Sequence, residues 1–263
     1  MTVNPIFHRL ILLTGPEALA ALEKCRVIVI GLGGVGSWCA EALVRSGVGA
    51  ISLADSDFVC ASNINRQAGA TSSTVGRVKA EALEDKLKDI NPSCAITPLK
   101  GLFSKETAAL FDIPGADYVI DAIDTLEYKL DLIETALAAG KTLFSSMGMA
   151  WKLDPTLIRT ADIWKTSGCP LARLVRQGMR ERNIDGHFTA VYSPEPAREN
   201  LSPGASLTGD RIPAGRIELG SVVTVTATAG MVLASLVIRD ICARFDGRRP
   251  ADGSLRKEEA HNE

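Results

Sequence analysis

A glycine-rich segment that directly follows a short apolar run limits most strongly what this chain can fold into. Residues 26–30 (RVIVI) are mostly β-branched and apolar, which predicts a buried strand. Residues 31–37 (GLGGVGS) follow at once and lead into a helical pattern that stops at Gly47. In a strand–loop–helix unit, glycines let the backbone approach phosphate oxygens, and the helix N-terminus offers free N–H groups. The pattern predicts a nucleotide-binding loop whose contacts come from Gly31, Gly33, Gly34 and Gly36.

The order of the predicted elements indicates the fold class. Further strands are predicted over 50–55, 94–99, 117–121 and 142–146, with helices over 74–90, 104–111 and 125–139. Strands that alternate with helices form βαβ units, so we expect an α/β fold with a doubly wound, mostly parallel sheet. Ligands bind such sheets at the carboxyl ends of the strands. The second half is less regular and predicts a strand over 156–163, a helix over 170–182 and a long loop over 193–216.

Composition and charge exclude several classes of protein. The chain has 263 residues, of which 46% are hydrophobic and 23% charged, and its formal net charge is −2. This balance is ordinary for a globular protein and argues against broad, non-specific binding of nucleic acid, so no DNA partner is expected. None of the six cysteines forms a CxxC pair, and the N-terminus lacks the pattern of a signal peptide. We expect a reduced, cytoplasmic protein without a structural zinc site.

One uncharged stretch, residues 221–238, is just long enough to be considered as a membrane span. It contains several threonines and ends at Arg239 and Asp240. We interpret it as a buried helix that closes the core or a dimer interface, and no membrane span is expected.

Polar side chains follow the predicted strands at the edge where a nucleotide would bind. Asp55 ends the second strand, where a carboxylate can bind a ribose hydroxyl. Residues 62–67 (SNINRQ) and Lys79 then supply amide and cationic groups, and Asp121 and Asp124 follow the fourth strand as further candidate contacts. Cations neutralise phosphate charge and a carboxylate can hold Mg²⁺. The set favours ATP with Mg²⁺ over NAD, because hydride transfer needs no such groups.

These segments resemble the ThiF/MoeB/HesA superfamily, the prokaryotic relatives of ubiquitin-activating enzymes. The resemblance runs from about residue 9 to 240 and rests on GLGGVGS, LADSDFVCASNINRQ, VGRVKAE, INP and VIDAID. It implies a Rossmann-like ATP site and an enzyme that joins a carboxylate to the AMP part of ATP with release of pyrophosphate.

The resemblance also implies roles for individual residues. Asp55 would hold the ribose, and Asp124 would bind Mg²⁺. Arg9, within FHRLILLTG, matches an arginine that reaches the ATP site of the partner subunit, which implies a homodimer. Phosphate contacts are implied for Asn63, Arg66 and Lys79, with Gln67 beside them. The implied catalytic residues are Arg9, Arg66, Lys79 and Asp124.

Motifs in the second half are similar to those of one branch, the tRNA threonylcarbamoyladenosine dehydratases. They are residues 145–148 (SSMG), 152–156 (KLDPT), 161–166 (ADIWKT), 170–172 (PLA) and 192–195 (YSPE). Enzymes of that branch cyclise a threonylcarbamoyl group on the adenosine beside the anticodon of tRNA. The resemblance implies a tRNA substrate, and a sulfur-relay protein is a further candidate partner.

The same resemblance predicts the division of the chain. Residues 1–245 would form a single ThiF-type adenylating domain. Its ATP-binding core would cover about 20–147 and a smaller, C-terminal substrate-side region about 148–245. The charged residues 246–263 predict a disordered tail.

Binding of tRNA requires positive charge on the surface. Arg173, Arg176 and Arg180 recur at positions i, i+3 and i+7 of the predicted helix over 170–182, which places them on one face. We predict that they contact the substrate, although a solvated basic face is equally compatible with this spacing.

Three rival interpretations stay open. One is adenylation of the C-terminal glycine of a small sulfur-carrier protein, for which Cys169, within SGCP, is the candidate reactive cysteine. Another is a module that binds nucleotide without catalysis, and the third is an NAD oxidoreductase. Three positions depart from the patterns of these families. Cys169 stands before Pro170 where the dehydratases usually have Asp, so a structural replacement of that acid is the other interpretation of this cysteine. Phe58 replaces a common acid and Thr125 a common Asn, but neither of these two is an assigned contact.

Overall fold

A single sheet organises the described part of the chain. The computed structural model describes residues 4–201 and 219–245, and within them the sheet has seven strands. They are β1 Arg26–Ile30, β2 Ala50–Asp55, β3 Ala95–Lys100, β4 Tyr118–Asp121, β5 Thr142–Ser146, β6 Arg159–Asp162 and β7 Thr189–Tyr192. Their order across the sheet is β3-β2-β1-β4-β5-β7-β6, and every neighbouring pair is parallel except β6 with β7. The expected α/β fold with a doubly wound, mostly parallel sheet is confirmed.

Helices cover both faces of this sheet. They are α1 His8–Thr14, α2 Pro16–Leu22, α3 Gly36–Arg45, α4 Lys79–Ile90, α5 Leu126–Ala138, α6 Pro170–Glu181 and α7 Val223–Cys242. Alternate side chains of β1 serve the two faces: Val27 and Val29 belong to one core, and Ile28 and Ile30 to the other. When both faces of a strand are buried, successive side chains all point into a core, which explains the continuous apolar run.

The topology places a ligand crevice at the end of β1. From β1 the chain proceeds to β2 and β3 on one side, and it returns to β4 and β5 on the other. Folds of this type bind ligands at the carboxyl edge where the strand order reverses. The loops after β1, β2 and β4 meet at that edge.

The predicted helix over 74–90 begins later than expected, at Lys79. Gly76 has φ of +87°, and Val78 forms an antiparallel bridge with Phe58. Neither feature is compatible with a helix, so the periodicity of this segment misplaced its start. The predicted helix over 104–111 was also wrong, because only the 3-10 turn Ala108–Leu110 forms there.

The predictions for the second half of the chain fall partly within and partly outside the described residues. The strand expected over 156–163 is β6, whereas β7 was not predicted; β7 pairs with β5 and β6 on its two sides, and the local sequence does not show this pairing. Most of the predicted loop over 193–216 and the predicted tail over 246–263 lie outside the described residues.

The uncharged stretch forms α7, which by length and composition alone could cross a membrane. Val225, Ala229, Leu233 and Val237, one turn apart, are buried in the core. The helix packs along α3 and against β5 and β7. One face of α7 therefore closes the core as expected, while Met231 on the other side is 43% exposed.

Candidate active site

The glycine loop joins β1 to α3 at the carboxyl edge of the sheet. Gly31 has φ of +91°, and a Cβ at Gly36 would lie 1.8 Å from the carbonyl oxygen of Gly31. A Cβ at Gly34 would lie 2.9 Å from Oγ1 of Thr226 on α7. The fold itself therefore requires these three glycines. A Cβ at Gly33 would meet nothing within 4 Å, so the backbone of Gly33 borders open space that a phosphate could enter.

The helix that follows adds positive potential to this edge. α3 begins at Gly36, no side chain caps its first turn, and that turn contains no acidic residue. The N-terminus of an uncapped helix presents N–H groups and the positive end of the helix dipole. Both favour an anion next to the loop.

Two carboxylates and one ammonium lie beside the loop. Asp55 accepts the N–H of Leu32 at Oδ2, at 2.7 Å, and the N–H of Asp57 at Oδ1, at 2.8 Å. Nζ of Lys79 lies 3.0 Å from Oδ2 of Asp57 and 3.7 Å from Oδ1 of Asp55. A carboxylate has about four acceptor sites, so Asp55 keeps capacity for a ribose hydroxyl. Lys79 is only 9% exposed, so these two carboxylates hold its ammonium beside the loop.

The segment between β2 and α4 carries further donors. The side chain of Asn63 is buried, and its Oδ1 accepts the N–H of Cys60 at 3.1 Å. Burial lowers the pKa of the Arg66 guanidinium below its usual value, and the nearby Asp124 carboxylate opposes that shift. The structure therefore brings Arg66 within electrostatic reach of Asp124, although the two residues are on different loops.

A small pocket lies between four of these elements. Its lining includes Leu32 of the glycine loop, Ser37 of α3, Gln67 of the segment after β2, and Lys79 at the start of α4. Gln67 and Lys79 are both buried, so their polar groups are held in place rather than solvated. Residues that the sequence analysis selected on separate motifs are neighbours here.

Asp124 lies on the exposed loop after β4. Its Oδ1 accepts the hydroxyl of Thr125 at 3.3 Å. Within residues 4–201 and 219–245, no group of three or more His, Cys, Asp and Glu side chains could hold a metal ion. Mg²⁺ that accompanies a nucleotide commonly uses one or two protein carboxylates and takes its other ligands from phosphates and water. A single exposed carboxylate near Arg66 fits that mode of binding.

Asp121 does not face the site, and the prediction that it contacts the nucleotide was wrong. The side chain is fully buried, and its Oδ2 lies 2.7 Å from Nζ of Lys129 and accepts the hydroxyl of Ser145 at 2.6 Å. Its Oδ1 accepts the N–H of Ile123 at 3.0 Å. The protein itself uses both carboxylate oxygens. The VIDAID motif could not reveal this, because the partner lysine projects from the next helix.

Arg9 lies away from the site of its own chain. It is exposed on α1, next to the exposed apolar side chains of Leu12 and Leu13. Phe7, just before α1, packs against the Gly47 turn that leads into β2, which is at the amino edge of the sheet. A single chain therefore does not bring Arg9 to the nucleotide edge.

The three arginines of α6 differ in their surroundings. Arg173 and Arg180 are exposed, and the guanidinium of Arg180 lies 5.2 Å from the ring centroid of Trp164. Arg176 is half-buried and donates to the hydroxyl of Thr166 and, at 3.5 Å, to the carbonyl oxygen of Ile163. Arg176 is thus committed to contacts within the protein, so the structure does not support the substrate contact predicted for it beside Arg173 and Arg180.

Cys169 is 4% exposed and lies directly before α6, where it packs into the core that contains Ile28 and Ile30. This burial does not suit a residue that must accept an acyl group from a large substrate. The sequence did not predict a role for Ser37 or Trp38. Their only signal was their position as the first and second residues after the last glycine of the loop.

The fold and site together define a Rossmann-like α/β protein built to hold a nucleotide at the end of β1. The glycine loop, the uncapped helix α3, the carboxylate of Asp55 and the cationic side chains of Arg66 and Lys79 are all near that edge. The chain matches the ThiF family over residues 7–257, and it belongs to that family.

Known proteins of similar length resemble the whole chain. The tRNA threonylcarbamoyladenosine dehydratase of Bacillus subtilis (strain 168) is 39% identical over 249 residues, which cover 94% of this chain and 98% of the relative. The crystal structure of E. coli tRNA N6-threonylcarbamoyladenosine dehydratase in complex with AMP has a TM-score of 0.81 at 31% identity, and the match covers 93% of this chain and 98% of that one. The same E. coli protein in complex with ATP has a TM-score of 0.80 at 33% identity, with coverage of 92% and 96%.

Proposed function

We propose that this protein uses ATP to adenylate the threonylcarbamoyl carboxylate of N6-threonylcarbamoyladenosine in tRNA and then promotes its cyclising dehydration. The observation that carries the proposal is the convergence of the glycine loop, Asp55, Arg66 and Lys79 at one edge of the sheet. Support comes from a relative with this activity in its name that is similar over almost the entire length, and from a similar structure that holds ATP.

The chemistry solves the problem of a poor leaving group. A carboxylate oxygen attacks the α-phosphorus of ATP, the bond to the β-phosphate oxygen breaks, and pyrophosphate leaves. A nucleophile of the same modified side chain then attacks the acyl carbon, and AMP departs with the former carboxylate oxygen. The two reacting groups are already tethered, so the protein has mainly to orient them and to neutralise charge.

Each residue near the edge has a part in this scheme. The backbone at Gly33 and the first turn of α3 receive phosphate oxygens, and Arg66 and Lys79 neutralise their charge. Asn63 and Gln67 add neutral donors, and Asp55 accepts a ribose hydroxyl. Asp124 would hold Mg²⁺, which when bound offsets negative charge on the phosphates.

The assembly is proposed to be a homodimer. Ile6, Leu12 and Leu13 are 51%, 69% and 83% exposed around α1, and exposed apolar side chains in this number favour a protein contact. A dimer formed through this surface would let Arg9 reach the site of the other subunit. Localisation in the cytoplasm, and a sulfur-relay protein as an additional partner, are proposed on the strength of the resemblance alone.

The substrate-side surface is proposed to include Arg173 and Arg180. Both are exposed on the outer side of α6, where their charge is available to phosphates. Arg176 supports this surface indirectly, through its contacts with Thr166 and Ile163.

Adenylation of a sulfur-carrier protein is the weaker alternative. An enzyme of that kind would use a reactive cysteine, and the best candidate in this chain, Cys169, is buried. A thioester trapped on Cys169 would reverse this preference.

The decisive experiment uses tRNA nucleosides. Purified protein, ATP and Mg²⁺ are incubated with tRNA that carries threonylcarbamoyladenosine, and the nucleosides are analysed by mass spectrometry. We expect loss of one water from the modified adenosine, together with release of AMP. Release of AMP with a carrier protein, and none with tRNA, would contradict the proposal.

A further inference from the structure

The first residue after the glycine loop links two parts of the nucleotide edge. Ser37 is 1% exposed. Its Oγ donates to the carbonyl oxygen of Gly33 at 2.7 Å and accepts the N–H of Ala68 at 3.0 Å. One hydroxyl therefore joins the glycine loop to the residue that directly follows Gln67.

The next side chain along α3 holds the same segment from the other end. Nε1 of Trp38 donates to the carbonyl oxygen of Arg66 at 2.9 Å. Nζ of Lys86, on α4, lies 5.5 Å from the Trp38 ring centroid and donates to the carbonyl oxygen of Ala68 at 2.9 Å. Glu41 fixes that lysine through an ion pair of 2.8 Å. The backbone on both sides of Gln67 is thus attached to α3 and α4.

We propose that Ser37 and Trp38 are positioning residues that set the distance between the glycine loop and the phosphate-binding side chains of Arg66 and Gln67. The inference rests on the proposed binding of ATP at this edge. A triphosphate spans both elements, so they must be held at one fixed separation before it binds. Few other groups could replace the hydroxyl of Ser37, because the site is closed to solvent and its loss leaves the N–H of Ala68 without this acceptor.

The test compares two serines of one helix. Ser46 lies near the C-terminus of α3, and its hydroxyl donates to the carbonyl oxygen four residues earlier, at 2.8 Å, as Ser37 does. Ser46 lies at the opposite end of the helix from the segment Arg66 to Ala68. The variants Ser37→Ala and Ser46→Ala therefore both lose a hydroxyl that donates to the carbonyl oxygen four residues earlier, but only Ser37→Ala also loses the acceptor for the N–H of Ala68.

We expect Ser37→Ala to raise the Kd for ATP, measured by calorimetry, and the KM for ATP by about tenfold, because part of the binding free energy would then be used to order the two elements. The KM for tRNA should stay unchanged. Ser46→Ala should keep the wild-type Kd for ATP, whatever its melting temperature. The variant Trp38→Phe, which keeps a ring but no donor, should also weaken ATP binding, and it decides the matter if Ser37→Ala does not fold.

A double variant tests whether the effect passes through Arg66. Residues that act as one unit are not additive, so Ser37→Ala should change the Kd much less in an Arg66→Ala background than in the wild type. Full additivity would overturn the inference. Unchanged ATP affinity in both Ser37→Ala and Trp38→Phe would overturn it too, provided that the wild type binds ATP. A wild type that does not bind ATP would overturn the proposed function, and this inference with it.

Discussion

The ammonium of Lys129 lies 2.7 Å from the carboxylate of Asp121, and neither side chain is exposed to solvent. The pair ties α5 to the end of β4, and Ser145 extends the connection to β5. Lys129 also donates to the carbonyl oxygen of Ser146 at 3.0 Å. This buried network underlies the loop that carries Asp124, so it fixes the end of β4 from within.

Replacing only one member of the Asp121–Lys129 pair should lower the free energy of unfolding much more than replacing both. Lys129→Met leaves a buried carboxylate without its counter-charge, which we expect to lower the free energy of unfolding by about 3–5 kcal/mol. In the double variant Asp121→Asn/Lys129→Met no charge remains buried, so the loss should be clearly smaller. Urea unfolding followed by circular dichroism measures both. Lys88→Met is the control, because Lys88 pairs with Glu84 on the surface and should change stability by less than about 1 kcal/mol. Equal losses in the single and double variants would contradict this account.

Substitutions of the loop glycines should have two different effects: some should reduce stability, and others should reduce ATP affinity. Gly36→Ala would place a Cβ 1.8 Å from a backbone oxygen, and we expect a loss of about 3 kcal/mol or more in stability. Gly33→Ala meets no atom within 4 Å, so the fold should persist while ATP affinity falls, because the methyl group enters the space next to the loop. Thermal unfolding and ATP titration of the two variants provide the comparison. A Gly33→Ala protein with wild-type ATP affinity would show that phosphate does not approach there.

Periodicity and turn residues were enough to find the parallel strands β1 to β5, because each contains a short apolar run bounded by turn or loop residues. They were not enough for β7, whose strand conformation depends on pairing with β5 and β6, or for the start of α4, which depends on a bridge between Phe58 and Val78. Among site residues, Asp55 followed from topology, because it ends β2, and Lys79 at the start of α4 followed from its motif. Asp121 did not, because a carboxylate at a strand end can turn toward solvent or toward a buried lysine, and the local sequence is the same in both cases. Ser37 acts through a contact with Ala68, a relation between distant positions that no local pattern contains.

The two cationic side chains near the loop should be needed for the first chemical step. Arg66→Ala or Lys79→Ala should reduce ATP–pyrophosphate exchange by about 10²–10³, the typical effect of removing a preorganised charge-stabilising donor. Arg77→Ala is the matched control: Arg77 lies between the two in sequence but pairs at the surface with Asp85, at 2.7 Å. Circular dichroism should establish that each variant is folded. Wild-type exchange in Arg66→Ala or Lys79→Ala would refute their assignment.

Buried thiols should make stability fall at alkaline pH. Burial raises the pKa of Cys25 from 9.0 to about 12 and that of Cys94 from 9.0 to about 11. The unfolded chain loses these protons near pH 9 while the folded one keeps them, so the free energy of unfolding should decrease as pH rises above 9, until the folded-state pKa is reached. The slope should be about 1 kcal/mol per pH unit for each thiol. Urea unfolding between pH 8 and 10.5 measures it. Cys25→Ala should flatten the slope, and the exposed Cys60, as Cys60→Ala, should leave it unchanged.

The surface arginines of α6 should affect tRNA but not ATP. Arg173→Glu with Arg180→Glu should weaken tRNA binding and lower the dependence of log K on log salt by about 1 for each phosphate that the protein no longer neutralises. ATP affinity should stay at the wild-type value, because the nucleotide edge is formed by other elements. Lys88→Glu, an exposed charge reversal on α4, is the net-charge control for each single variant, Arg173→Glu and Arg180→Glu, because one reversal changes the net charge equally in all three. Arg176→Glu should behave differently, since Arg176 bonds to Thr166 and its loss should also reduce stability. An unchanged salt dependence in the Arg173→Glu/Arg180→Glu variant would move the tRNA surface elsewhere on the protein.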